Sequence, residues 1–115
     1  MDFEIESYLQ SHANKFVGAF DANCYLYLSR AMDLFDASDH GGSVGAALGR
    51  TGVDRALVIA VRTDFLFPPH QQKELADAFE AAGVDVEYQL LDSIQGHDSF
   101  LVDMDRFRPV IGNFF

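Results

Sequence analysis

The run ALVIAV at residues 56–61 decides the fold, because it has the length of one strand and shows no alternation of polar and apolar residues. Runs of this kind are typical of strands that are buried on both faces of a parallel sheet. Helical spacing follows over 69–82, with Gly83 as its stop, and residues 84–91 predict a second strand. Residues 56–91 therefore predict one strand–helix–strand unit, with parallel strands and a right-handed crossover.

The part of the chain before this unit has apolar residues at helical spacing. The predicted helices cover 4–18, 22–36 and 43–50. Asp21 is well placed to cap the second of them, whose apolar face carries Tyr25, Leu28, Met32 and Phe35. The change from helical spacing to a strand–helix–strand pattern predicts two parts, a helical segment over 1–52 and an α/β segment over 53–115.

The α/β segment offers the first strand only one convincing partner strand. Two parallel strands make a poor sheet on their own, so we interpret the chain as the end piece of a larger α/β sheet. A small domain, or one completed by oligomerisation, is the alternative. Asp98 onward predicts one or two closing helices, broken at Pro109.

Composition excludes several classes of protein. The 115 residues carry a net charge of −10, which argues against nucleic acid or an anionic membrane surface as the main partner. A hydrophobic content of 49% argues against intrinsic disorder. Neither a signal peptide nor a membrane span is expected, and the single cysteine, Cys24, excludes an internal disulfide framework. We therefore expect a soluble protein of a reducing compartment, the cytoplasm.

Two loops follow the predicted strands, where α/β proteins keep their functional residues. Asp64 lies in TDFLFPP at 63–69, and His97 lies in QGHDSFL at 95–101. An acid and a histidine after successive parallel strands suit an orienting carboxylate and a general base. Their order matches the last two members of a Ser–Asp–His triad. The plainer readings are a turn-forming aspartate and a surface histidine.

The nucleophile of such a triad is not evident. GGSVG at 41–45 matches the G-x-S-x-G motif, but that motif needs a buried strand before its serine, and residues 36–40 are polar. Ser43 is instead predicted to cap the short helix that follows. Cys24 lies inside a predicted helix and is interpreted as a packed thiol. The histidines match no zinc-binding pattern, so no metal site is expected.

Three separated segments resemble the homoserine O-acyltransferase family. The residues similar to that family's helical lid are ESYL at 6–9, KF at 15–16, FDANCYL at 20–26 and AMD at 31–33. The stretch 63–69, with Gln71 and Gln72, resembles its catalytic-acid loop, and GHDSFL at 96–101 resembles its catalytic-histidine loop. The similarity runs from about residue 5 to the last residue.

This resemblance implies the C-terminal part of an α/β-hydrolase fold, with 1–52 as the lid. It implies acyl transfer from acetyl-CoA or succinyl-CoA to the hydroxyl of homoserine, in a ping-pong reaction through an acyl-serine. Asp64 and His97 would be the catalytic acid and base. Asp98 would bind the substrate amino group, since an ammonium–carboxylate contact suits an amino acid.

The resemblance also implies partners. Acyl-CoA would be a co-substrate, with no resident cofactor, and the lid helices would form a homodimer. The family's nucleophile region has no counterpart in this sequence, so the chain alone is expected to be inactive. Two alternatives stay open: acylation of serine in place of homoserine, and a non-catalytic helical module that serves only for dimerisation.

Overall fold

The computed structural model describes residues 3–115. Its internal contacts divide the chain into two compact units, one ending at Asp36 and the other beginning at Ala37. Among residues 3–115, no helix has the length and apolar character needed to cross a bilayer.

The first unit consists of two helices, α1 (Glu4–Ala19) and α2 (Ala22–Asp33). Asp21 caps α2 as predicted, because its side chain accepts a hydrogen bond from the backbone N–H of Cys24 at 2.9 Å. This hydrogen bond lowers the pKa of Asp21. No residue of either helix is buried. The apolar side chains that the helical spacing brings together therefore remain exposed, among them Tyr25, Leu28, Met32 and Phe35.

The second unit contains the predicted strand–helix–strand arrangement. Its strands and helices, in chain order, are α3 (Val44–Gly49), β1 (Arg55–Val61), α4 (Pro69–Ala81), β2 (Asp85–Leu91), α5 (Ser99–Val102) and α6 (Met104–Phe114). The two strands pair in parallel, in a register that runs from Arg55 opposite Asp85 to Val61 opposite Leu91. This confirms the mixed α/β class and the parallel pairing, and β1 and β2 form a two-stranded sheet in the described residues.

The core of the second unit lies along β1. The buried hydrophobic residues are Val58, Ala60, Val61, Ala76, Val84 and Phe107. Three of the six come from β1, as expected for an apolar run without alternation. No residue of β2 is fully buried, so the second strand is covered less completely than the first.

The predicted break at Pro109 is wrong, because Pro109 lies inside α6 and the chain breaks at Asp103 instead. Asp103 leaves the helical conformation, with φ −109° and ψ 53°. Its carbonyl and its carboxylate accept hydrogen bonds from the backbone and side chain of Arg106, at 3.1 and 2.9 Å. Beyond the proline the helix is tied to β1, since the Arg55 guanidinium lies 4.5 Å from the ring centroid of Phe114 and donates to its carbonyl at 3.2 Å. These contacts offset the hydrogen bond that the proline removes.

Helix α3 packs against α4 through its glycines. A Cβ at Gly45 would lie 3.8 Å from the carbonyl oxygen of Ala78, and one at Gly49 would lie 3.6 Å from the Cβ of Ala82. Residues 37–52, which the sequence assigns to the helical segment, therefore belong to the same compact unit as the strands. Gly45, the last glycine of the apparent G-x-S-x-G motif, allows α3 to pack closely against α4.

Ser43 caps α3, as predicted. Its hydroxyl oxygen accepts a hydrogen bond from the backbone N–H of Ala46 at 3.1 Å. The Ser43 backbone is extended, and the element before it is a short 3-10 turn over Ala37–His40, not a strand. A serine in this position provides a hydrogen-bond acceptor for one of the first N–H groups of the helix, which have no partner within the helix.

We expect Ser43→Ala to destabilise the second unit by about 1 kcal/mol, because one N–H of α3 loses its partner. Ser43→Asp keeps a capping oxygen and is the matched control, with a stability close to that of wild type. Urea unfolding, followed by circular dichroism, measures both. Equal stabilities of wild type and Ser43→Ala would contradict the capping role.

Candidate active site

The loop after β1 is organised by Asp64. The Asp64 backbone N–H donates to the carbonyl of Val61 at 3.1 Å, which turns the chain sharply as the strand ends. One carboxylate oxygen, Oδ1, then accepts the backbone N–H groups of Leu66 and Phe67, each at 2.9 Å. With 8% of its surface exposed, Asp64 is a buried acid whose side chain fixes its own loop.

The loop after β2 presents His97. Gly96 adopts a φ of +62°, a left-handed conformation that favours glycine. His97 follows at once, within a short 3-10 turn over Gly96–Asp98. The sharp turn that a glycine before a histidine predicts is therefore present, and it directs the ring back toward the first loop.

The two loops meet through their side chains. His97 Nδ1 lies 2.9 Å from Asp64 Oδ2, which is within hydrogen-bonding distance. An ionised carboxylate can only accept hydrogen bonds, which places the imidazole proton on Nδ1. His97 Nε2 is then left with its lone pair. This is the arrangement of an orienting acid and a base.

Asp64 is held in its charged form. Burial raises the pKa of its carboxyl group, but this effect is outweighed by hydrogen bonds from the Phe67 N–H, from His97 and from the Leu66 N–H. A positive charge on a protonated His97 would act in the same direction. The net result is a pKa below the ordinary aspartate value, so the carboxylate remains anionic beside the imidazole at neutral pH.

A cavity of about 390 Å³ adjoins the Asp64–His97 pair. Its lining is mainly apolar and consists of Ile59, Val61, Asp64, Phe67, Gln72, His97, Phe100 and Phe107. The imidazole of His97 lies among the aromatic rings, with its centroid 5.0 Å from that of Phe67 and 5.9 Å from that of Phe100. About 35% of the His97 side chain is exposed, so the imidazole is accessible from solvent.

The other candidate residues lie outside this cavity lining. Asp98 is exposed, although it follows His97 directly. Ser43 caps α3, and Cys24 is exposed on α2 rather than packed. In the part of the chain that the structure describes, no group of three histidine, cysteine or acidic side chains is arranged to hold a metal ion.

Two features of the site were not assigned from the residues. Gln72, on the first turns of α4, lines the cavity beside the acid and the base. Thr63 donates its hydroxyl proton to the carbonyl of Ser93 at 2.7 Å and accepts the N–H of Gly96 at 3.0 Å. Its position directly before Asp64 is the only signal in the sequence, and it does not specify these partners.

Comparison with known proteins gives relatives along nearly all of the chain. No family model matches. Serine O-succinyltransferases from Litchfieldella anticariensis and Frateuria aurantia are 56% and 53% identical over 99% and 98% of the chain. The enzyme of that name from Stenotrophomonas maltophilia is 50% identical over 99%. The chain is therefore similar to one part of acyltransferases that are related to the homoserine O-acyltransferases its motifs resemble.

The chain spans 31% of the length of each of these relatives. Their names support the coarse prediction of an O-acyltransferase function. They name serine as the substrate, whereas the resemblance of the motifs implies homoserine, with serine as the alternative. Within this chain, the Asp64–His97 pair is an arrangement that suits acid–base chemistry.

We expect the stability difference between wild type and Asp64→Asn to depend on pH. A folded-state pKa below the unfolded value of about 3.9 means that the Asp64 carboxylate stabilises the fold above that value. This contribution is lost as the pH falls through the lower, folded-state pKa. Urea unfolding at several pH values between 7 and 2.5 measures the difference.

The control for this measurement is Asp54→Asn. The Asp54 side chain is exposed just before β1, so this substitution reports the general effect of deleting one negative charge from an acidic protein. A stability gap for Asp64→Asn that is constant from pH 7 to 2.5 would show that the carboxylate is not held in its charged form.

Proposed function

We propose that the protein carrying this chain transfers a succinyl group from succinyl-CoA to the hydroxyl of an amino acid, with serine preferred over homoserine. The observation that carries the proposal is the contact of 2.9 Å between His97 Nδ1 and Asp64 Oδ2 beside a cavity. The names of the relatives support the choice of serine and of the succinyl group. Within the proposal, acetyl-CoA and homoserine are the competing donor and acceptor.

In the first half-reaction, His97 Nε2 removes the proton of a nucleophilic serine hydroxyl. The oxygen attacks the thioester carbonyl of the donor and forms a tetrahedral intermediate. As this intermediate collapses, the carbon–sulfur bond breaks, and His97 returns the proton to the departing thiolate of coenzyme A. Asp64 keeps the imidazole in the correct tautomer and stabilises its protonated form throughout.

In the second half-reaction, His97 Nε2 takes the proton of the acceptor hydroxyl. The acceptor oxygen attacks the acyl-serine ester, the bond to the enzyme serine breaks, and the imidazolium protonates that serine. The same base thus serves both halves, with no net change in protonation. Asp98 is proposed to hold the acceptor's ammonium group, in agreement with the family resemblance and with its position directly after His97.

The nucleophile is proposed to lie in a part of the protein outside this chain. Ser43 is engaged as a helix cap and does not line the cavity. The relatives are about three times as long as the chain, which agrees with an α/β-hydrolase sheet to which β1 and β2 contribute two strands. On this proposal, residues 53–115 are the C-terminal portion of that fold.

The helices of the first unit are proposed to form the lid and a homodimer interface. Both α1 and α2 lack buried residues, and a second copy of the protein would cover apolar side chains such as Leu28 and Met32. Sedimentation of the full-length protein at micromolar concentrations tests this assignment, and a strictly monomeric species would contradict it.

The function is tested by steady-state kinetics of the full-length protein with succinyl-CoA or acetyl-CoA against serine or homoserine. We expect the highest kcat/KM with succinyl-CoA and serine. His97→Ala should lower turnover by at least about 10²–10⁴-fold, the contribution of general acid–base catalysis. His70→Ala, which changes a histidine outside the cavity lining, is the matched control and should retain turnover.

A preference for homoserine would overturn the assignment of the acceptor but not of the reaction. If His97→Ala retained full turnover with every pair of substrates, the proposed mechanism would fail.

We expect Asp98→Asn to raise the KM for serine by about 10-fold to 100-fold, since one charge-assisted hydrogen bond to the ammonium is weakened. The rate of acylation by succinyl-CoA in the absence of serine should stay near the wild-type rate. Stopped-flow acylation and steady-state turnover separate the two effects. Asp105→Asn, an exposed acid on α6, is the control. Equal slowing of both half-reactions would show that Asp98 shapes the histidine loop instead.

A further inference from the structure

The hydroxyl of Thr63 joins the two loops of the site at a second point. It donates to the Ser93 carbonyl at 2.7 Å and accepts the Gly96 N–H at 3.0 Å, so that one side chain of the first loop spans the second loop. Thr63 is half-buried and Ser93 is 1% exposed, which limits the access of water to replace these bonds.

Gly96 is held at both of its backbone polar groups. Thr63 accepts its N–H, and the Ser99 hydroxyl donates to its carbonyl at 2.5 Å from a fully buried position. A left-handed residue fixed on both sides leaves little freedom to the residue that follows it. That residue is His97.

Adjacent residues of the first loop thus hold adjacent residues of the second. Thr63 holds the Gly96 backbone, and Asp64 holds the His97 imidazole at 2.9 Å. A single hydrogen bond between two side chains leaves the ring free to swing about that bond, whereas a second attachment one residue away removes this freedom. The Asp64–His97 geometry therefore depends on a residue that does not touch the imidazole.

We propose that Thr63 is a positioning residue, which fixes the Gly96 backbone so that the His97 imidazole meets Asp64 with its Nε2 directed toward the reacting groups. The catalytic part of this inference rests on the proposed function, since the position of His97 affects turnover only if His97 is the catalytic base. Its structural part, the orientation of the imidazole, is measurable without any turnover.

The test compares Thr63→Val with Thr63→Ser in the full-length protein. Valine keeps the shape of threonine and lacks the hydroxyl, whereas serine keeps the hydroxyl. We expect Thr63→Val to lower kcat by about 10-fold to 100-fold, the cost of a base displaced by a fraction of an ångström to 1 Å. The KM for succinyl-CoA should stay near the wild-type value, and Thr63→Ser should recover most of the lost kcat.

Thr51→Val is the matched control for the loss of a hydroxyl. Thr51 donates its hydroxyl to the Leu48 carbonyl at 2.7 Å at the end of α3, and it does not line the cavity. This variant removes the same group from the same unit and should retain the wild-type kcat. A loss of turnover shared by Thr51→Val and Thr63→Val would overturn the proposal.

The orientation of the imidazole is read by ¹⁵N NMR of histidine-labelled protein. We expect wild-type His97 to carry its proton on Nδ1, as the Asp64 contact requires. Thr63→Val should shift part of this population to Nε2–H, and Thr63→Ser should restore it. An unchanged tautomer in Thr63→Val, or a Thr63→Ser protein as impaired as Thr63→Val, overturns the positioning role.

Hydrogen exchange of the wild-type protein decides the question if Thr63→Val does not fold. The Gly96 amide should be protected from exchange, because Thr63 accepts a hydrogen bond from its N–H; exchange at the rate of a free amide overturns the proposal.

Failure of this proposal can be distinguished from failure of the proposed function. If His97→Ala keeps full turnover, the mechanism fails, while the NMR signal still reports whether Thr63 orients the ring.

Discussion

The in-register pairing of two parallel strands is the constraint on which the site depends. Val61 stands opposite Leu91, so both strands end at the same level of the sheet. The backbone N–H of Arg62 then donates to the Leu91 carbonyl at 3.0 Å, which carries the pairing one residue beyond the strand. Loops that follow the carboxyl ends of neighbouring parallel strands lie next to each other at the same edge of the sheet. Asp64 and His97, 33 positions apart in the chain, can therefore share one hydrogen bond.

The sequence is sufficient to predict the elements whose signals are local. The apolar run at 56–61 predicts β1, Asp21 and Ser43 predict two helix starts, and both caps form hydrogen bonds with the expected N–H groups. The contact between Asp64 and His97 follows from topology. Pro109 shows the limit of such rules, since α6 continues through the proline and Arg55 holds the segment beyond it.

The remaining features of the site could not be predicted, because they depend on distances between loops. Nothing in the residue type of Thr63 indicates that its hydroxyl reaches the Gly96 N–H, and Gln72 lines the cavity only because of the way α4 packs across the strands. A threonine or glutamine near a strand end is common in any sheet. The distinction between a surface polar group and a part of the site lies in the angle and register of packed elements, which a single sequence does not specify.

The hydrogen bonds to Asp64 explain why this buried acid needs no cationic side chain. Burial by itself raises the pKa of a carboxyl group that is only 8% exposed, because it penalises the charged form. Here the loop itself supplies the compensation, since Oδ1 accepts two backbone N–H groups and Oδ2 faces the imidazole. An arginine in the same place would also hold the charge, but it would compete with His97 for the carboxylate oxygens. Backbone donors stabilise the anion without such competition, so Oδ2 is left for the histidine.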